Sequence, residues 1–143
     1  MKGKVIVWNE DFAVVKSKKI DNNSFAIIQY NNEITNVIDQ NKINKDNVIE
    51  AEKDWKLLTF DMILDFNIVG FISKISKVLA DEGISIFVIS SYSTDHILVK
   101  RKDLENTIGC LEELGFNLKW TSNFVRNVRV RRLYFSQELK ENL

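Results

Sequence analysis

At 143 residues the chain is long enough for one ordinary domain or two very small ones, and as one body it would bury roughly 70% of its unfolded surface. Twenty Lys and Arg balance twenty Asp and Glu, so no overall field draws the protein toward nucleic acid or an anionic membrane. The single cysteine, Cys110, cannot bridge within the chain. No apolar run approaches the ~20 residues of a membrane span, and the start of the chain lacks a signal-type apolar core. A reducing cytoplasm is the expected compartment.

In chain order, Lys4 to Trp8 and Phe12 to Lys16 are Val- and Ile-rich runs split by Asn9-Glu10-Asp11, and they predict two strands or one interrupted strand. Ser24 to Tyr30 predicts a strand. Asn31-Asn32 turns into a further run from Glu33 to Asp39, where Ile34 and Ile38 share one face with Asn36. From Asn41 to Asp54 the composition becomes polar and charged, which suits a surface connection, and a domain boundary is expected near Asp54.

Trp55 to Met62 predicts a strand with Leu58, Phe60 and Met62 on one face. Phe71, Ile72, Ile75, Val78 and Leu79 then recur at helical spacing, and Gly83 stands where a helix stops in a left-handed residue. Ile84 to Ile89 is nearly all apolar and β-branched, as a central strand would be. His96 to Lys100 is its expected hairpin partner. Asp103 can cap a second helix that buries Leu104, Ile108, Leu111 and Leu114 and stops at Gly115, and Phe116, Leu118 and Trp120 give a last strand. The order from Trp55 to Trp120 is βαββαβ, a split βαβ pattern with helices on one face of an antiparallel sheet, so the fold class is α+β. Beyond it, Val128 and Val130 alternate with Arg129 and Arg131, and Ser136 can cap a short terminal helix.

Three stretches resemble a known family. They are the Asn67-Ile68-Val69-Gly70 loop before the first helix, Leu79-Ala80-Asp81-Glu82-Gly83-Ile84-Ser85-Ile86-Phe87 at its end, and Ser90-Ser91-Tyr92-Ser93-Thr94-Asp95-His96-Ile97-Leu98-Val99. Together they are similar to the ACT domain, a small regulatory module that binds amino acids, and in particular to its tandem form and to the aspartokinase regulatory region. The first half, with Phe25-Ala26-Ile27-Ile28 and Glu33-Ile34-Thr35, is similar to a reduced first module. The resemblance implies a ferredoxin-like ACT module at 55–123, a degenerate strand-rich ACT-like module at 1–54, and an Arg-bearing extension at 124–143. It further implies an allosteric amino-acid sensor with a pocket between modules, a homodimer built by sheet extension, a regulated protein partner, and neither catalysis nor cofactor. Two positions depart from the pattern: His96 stands where an aromatic is usual, and the segment from Phe124 onward has no counterpart.

A free amino acid carries a carboxylate and an ammonium group close together, so its site must offer hydrogen-bond donors for one and a carboxylate for the other. Amides around Asn67, Ile68, Val69, Gly70 and Phe71 lie at an expected helix start, where unsatisfied N–H groups favour an anion and glycine permits close approach. Asp95 is the first choice for the ammonium group, Asp65 the second, with Ser90, Ser91 and Thr94 adding neutral hydrogen bonds. Asn67 and Gly70 also fit a helix cap and a packing glycine, and Asp95 also fits an ordinary turn aspartate.

His96, the only histidine, has no cluster of metal-type ligands at suitable spacing, and an exposed strand position is expected for it; no metal site is predicted. Cys110 is expected to be packed and inert. Arg126, Arg129, Arg131 and Arg132 fit a solvated edge strand or a charged partner. The paired aromatics with which RNA-recognition sheets stack bases are missing, so nucleic acid is not the expected partner. The alternative to a sensor is an interaction module that binds protein or nucleic acid through its Arg-rich end.

Overall fold

The Val-rich alternation at the start of the chain makes one long interrupted strand. In the computed structural model, which describes residues 3–62 and 69–121, the elements run β1 (Gly3–Ser17), β2 (Ala26–Tyr30), β3 (Glu33–Asp39), β4 (Val48–Asp61), α1 (Phe71–Asp81), β5 (Ile86–Ser90), β6 (Asp95–Lys100), α2 (Leu104–Glu113) and β7 (Phe116–Trp120). The strand order is β2-β3-β1-β4-β6-β5, with β7 on β1.

Strands β1 and β4 form an antiparallel spine shared by both ends of the molecule. At one end Phe12 to Ser17 pair with β3 and β4; at the other Gly3 to Val7 lie between β4 and β7. The register of the spine shifts three times, between Val7 and Asp11, between Phe12 and Val14 and between Lys16 and Ser17. Between Val7 opposite Leu58 and Asp11 opposite Lys56, β1 carries two more residues than its partner, a bulge that bends the strand and strengthens its twist. The second shift falls at Asp54, where a boundary between units is expected: it lies inside β4 with φ 64°, tied to Gln40 by two hydrogen bonds of 2.9 and 3.2 Å that use the Gln40 side chain.

Residues 48–54, expected as surface connection, are therefore strand. Their charges show why composition misleads: this half of β4 pairs only with β1 and is exposed on both faces. Two short 3-10 turns, at 40–42 and 45–47, precede it. Strand β5, expected to be central, lies at an edge of the sheet among the described residues. The last strand also differs from a plain βαββαβ unit. β7 runs parallel to β1, so two strands, not one, separate β6 from β7.

Alternation sorts side chains onto two faces. Val5, Val7, Leu58, Phe60, Ile97 and Val99 meet Phe71, Ile75 and Leu79 of α1 and Leu111 of α2 in the main core. α1 ends at Gly83, whose φ of 72° is cheap only for glycine. On the helix-free face Phe12, Val37, Leu57 and Leu98 form a second core, edged by Trp8, Phe25, Trp55, Phe87 and Ile89. Phe25, beside the first residue of β2, reaches the ring of His96 on β6 at 5.1 Å, so the sheet coils until its two wings meet across this face. The expected strand at 124–133 and the terminal helix lie outside the described residues.

Candidate ligand-binding site

Strand β6 enters the sheet at Asp95, opposite Ser90 of β5, and Thr59 of β4 lies opposite His96. The 91–94 turn and the exit of β4 at Asp61 are therefore at the same end of the sheet. The first residue of α1 belongs there too, since the Phe71 ring packs edge-on at 5.1 Å against Phe60.

Of the residues singled out from sequence, the structure brings together Ser90, Ser91, Thr94 and Asp95. The Ser90 hydroxyl donates to Asp95 Oδ1 at 2.6 Å, and the amide and hydroxyl of Ser91 both donate to the Thr94 carbonyl, at 2.9 and 2.8 Å. One carboxylate oxygen is thus oriented by a neutral donor, and the group keeps acceptor capacity for a cation. Gly70 is the N-cap of α1, at φ 83° and with no side-chain cap. The Lys74 amide donates to the Gly70 carbonyl at 2.9 Å, the first bond of the helix. Phe71 to Ser73 are the first residues of the helix, where backbone amides lack an intrahelical acceptor. Open space lies where a Cβ on Gly70 would stand. Val69 is 94% exposed. The Phe71 side chain is committed to the core, which leaves only its amide for a ligand. Asp65, Asn67 and Ile68 lie outside the described residues, as do Arg126, Arg129, Arg131 and Arg132.

His96 departs from its expected exposed position. Its ring is half-buried on the helix-free face, and Nδ1 is 2.9 Å from Thr59 Oγ1, which accepts from Trp8 Nε1 at 2.9 Å. Because Thr59 accepts the indole proton, its own hydroxyl proton is available to Nδ1, an arrangement that places the imidazole proton on Nε2. Burial lowers the His96 pKa to about 4, against an opposing pull from Asp95. The sequence signal for this chain was faint: Trp8, Thr59 and His96 come from three distant strands, and only register aligns them.

Lys56 is a second buried polar group that sequence reading passed over. Its ammonium donates to the carbonyls of Asn9 and Glu10 at 2.8 and 3.2 Å inside the β1 bulge, and lies 3.3 Å from Asp11. Arg101 holds the other Asp11 oxygen at 2.9 Å. Cys110 packs beside the main core, and burial, followed by Glu82 and Glu113, raises its thiol pKa, which keeps it protonated and unreactive.

Two helices on one face of a mostly antiparallel sheet, with the helix entry and the β-hairpin at one end, define a ferredoxin-like α/β module. Within that class residues 50–113 match the family model of the ACT domain, and this stretch of the chain is an ACT domain. Among solved structures it is similar to protein Atu0741 of Agrobacterium tumefaciens, at 24% identity over 84% of this chain and 94% of that one, with a TM-score of 0.72. It is also similar to VC0802 of Vibrio cholerae, described as a protein of unknown function and possible transport protein, at 19% identity, 76% and 86% coverage and a TM-score of 0.66. The regulatory subunit of aspartate kinase from Thermus thermophilus matches at 8% identity, 76% and 95% coverage and a TM-score of 0.53. No curated protein sequence matches the chain. Among the described residues no helix is long and apolar enough to cross a membrane.

Proposed function

We propose that this protein is a cytoplasmic, non-catalytic regulator that senses a small amino acid through its ACT domain. The reading is supported by the placement, at the same end of the sheet, of the α1 start at Gly70 and Phe71 and of the Ser90–Asp95 pair. The ligand carboxylate would take backbone amides of the helix start, which carry the positive end of the helix dipole. Its ammonium group would take Asp95, with Ser90, Ser91 and Thr94 as neutral neighbours and Asp65, Asn67, Ile68 and Val69 completing the loop. Residues 1–54 would act as a reduced second module whose strands share the β1–β4 spine, so that ligand binding biases how the two wings meet and what an output partner encounters.

A thermal-shift screen of the proteinogenic amino acids tests this. A ligand at 100 times its dissociation constant should add ~2.7 kcal/mol of stability, and Asp95→Ala should erase the shift while the unliganded protein keeps its melting temperature within a few degrees. A flat response to every amino acid at millimolar concentration refutes the sensor reading.

A further inference from the structure

In a strand that ends a sheet, every second residue turns its N–H and C=O away from its one partner, and those groups bond water unless another strand arrives. Among the described residues the outer half of β4 is such an edge. β6 pairs with β4 only from Trp55 to Thr59, while Glu50, Ala51 and Glu52 pair with β1 on the other side. Between two register shifts this triplet stays in step with Lys16, Val15 and Val14, and all three of its residues are exposed.

The triplet carries a charge pattern. Glu50 and Glu52 lie on one face and Ala51 on the other, because neighbouring residues of a strand point opposite ways. Lys100 reaches Glu52 at 3.0 Å, whereas Glu50 has no salt bridge among the described residues. The chain itself holds a complementary segment. Between Phe124 and Leu133 it has four arginines and no acidic residue, and Arg129-Val130-Arg131 repeats the spacing of Glu50-Ala51-Glu52 with the opposite sign.

We propose that Arg129-Val130-Arg131 of the same chain docks on this edge, antiparallel to β4, with Arg129 opposite Glu52 and Arg131 opposite Glu50. Direction and reach both favour it. The described residues end at Thr121, whose hydroxyl accepts from the Asn9 amide at 2.8 Å. β7 runs parallel to β1 and therefore antiparallel to β4, so a chain that keeps its heading passes Glu52 before Glu50. Along Gly3 to Val7, β1 lies between β4 and β7, and the free edge is one lane beyond β4. The crossing is three strand spacings, roughly 14 Å, and the seven steps from Thr121 to Val128 reach ~23 Å. Backbone bonds supply the attachment and the alternating side chains its register. Opposite charges then face each other across neighbouring strands, in a row from Lys16, which stands opposite Glu50 on β1, through Glu50 to Arg131. With its own segment in place the edge is closed to other strands, and the two arginines are neutralised.

Amide hydrogen exchange of the full chain, followed residue by residue by NMR with no amino acid added, tests this separately from the sensing screen. Arg131→Glu sets two carboxylates face to face and Glu50→Arg sets two cations face to face. Each change should speed exchange of the outward-facing amides among residues 50–52 at least tenfold. Combining the two changes should restore the protection, which only direct opposition of 50 and 131 predicts. Arg126→Glu, the same change of charge outside the triplet, should leave these amides as they are. Unchanged exchange in α1 and β6 confirms that every variant folds. Outward amides that exchange as freely in the wild type as in both reversals overturn the proposal, as does a double variant that does not recover. Equal loss in Arg126→Glu overturns it too, by reducing the effect to net charge. So does protection that grows with protein concentration, because the docked segment then comes from another copy.

Discussion

Acidification should destabilise this protein through His96 specifically. The imidazole is held neutral between Thr59 and the Phe25 ring, and its pKa falls from 6.5 to about 4 on folding because the buried site penalises the charged form. Below pH 6.5 the unfolded chain takes up a proton that the folded one refuses, so stability is fully present above that value and is lost as pH falls toward 4. Below about 4 both states are protonated and the loss from this group stops. The difference of about 2.5 units, at 1.36 kcal/mol each, gives a loss of about 3 kcal/mol, a large fraction of a small domain's stability. The assay is urea unfolding at a series of pH values for wild type and His96→Phe, which keeps an aromatic ring against Phe25. Carboxylates titrate in both proteins and largely cancel in the difference. The wild type should lose about 3 kcal/mol relative to the variant between pH 7 and 4, with most of the change below 6.5. A difference that stays flat over that range refutes the buried, neutral imidazole.

Two further perturbations test the polar groups that sequence reading passed over. Thr59→Val keeps the shape of the side chain but leaves Trp8 Nε1 and His96 Nδ1 without their common partner, and should cost about 1–3 kcal/mol in urea unfolding. Lys56→Met removes the ammonium group from the β1 bulge and strands the Asn9 and Glu10 carbonyls; a loss of about 3 kcal/mol is expected. Amide exchange in that variant should quicken at the bulge before it quickens in α1.

The elements from Trp55 to Trp120 were legible because one face of each is buried under helices, and burial of one face writes its period into the sequence. Ile75 and Leu79 on α1, or Leu58 and Phe60 on β4, could hardly be read otherwise. Residues 48–54 show the converse. They are strand because the Phe12 to Ser17 half of β1 offers them a ladder, and a ladder made of backbone groups leaves side chains free to be charged. The place of β1 between β4 and β7 was illegible for a related reason. Which of two compatible strands becomes a neighbour depends on non-local packing, and the apolar alternation of β1 and that of β4 satisfy β7 equally.

Legibility at the site followed the same division. Ser90, Ser91, Thr94 and Asp95 are close in sequence, and their hydrogen bonds span at most five residues, so local chemistry was enough to group them. The partnership of His96 with Thr59 and Trp8 spans 37 and 51 residues and exists only once register is set. Asp95 and His96 are adjacent, and strand alternation turns them to opposite faces: the carboxylate toward the helix side and the proposed ligand, the imidazole toward Phe25 and the wing that carries β2. A small displacement of β6 at Asp95 cannot leave His96 still, because they share one peptide unit. The contact from His96 to Phe25 therefore joins the Asp95 end of β6 to the wing that carries β2.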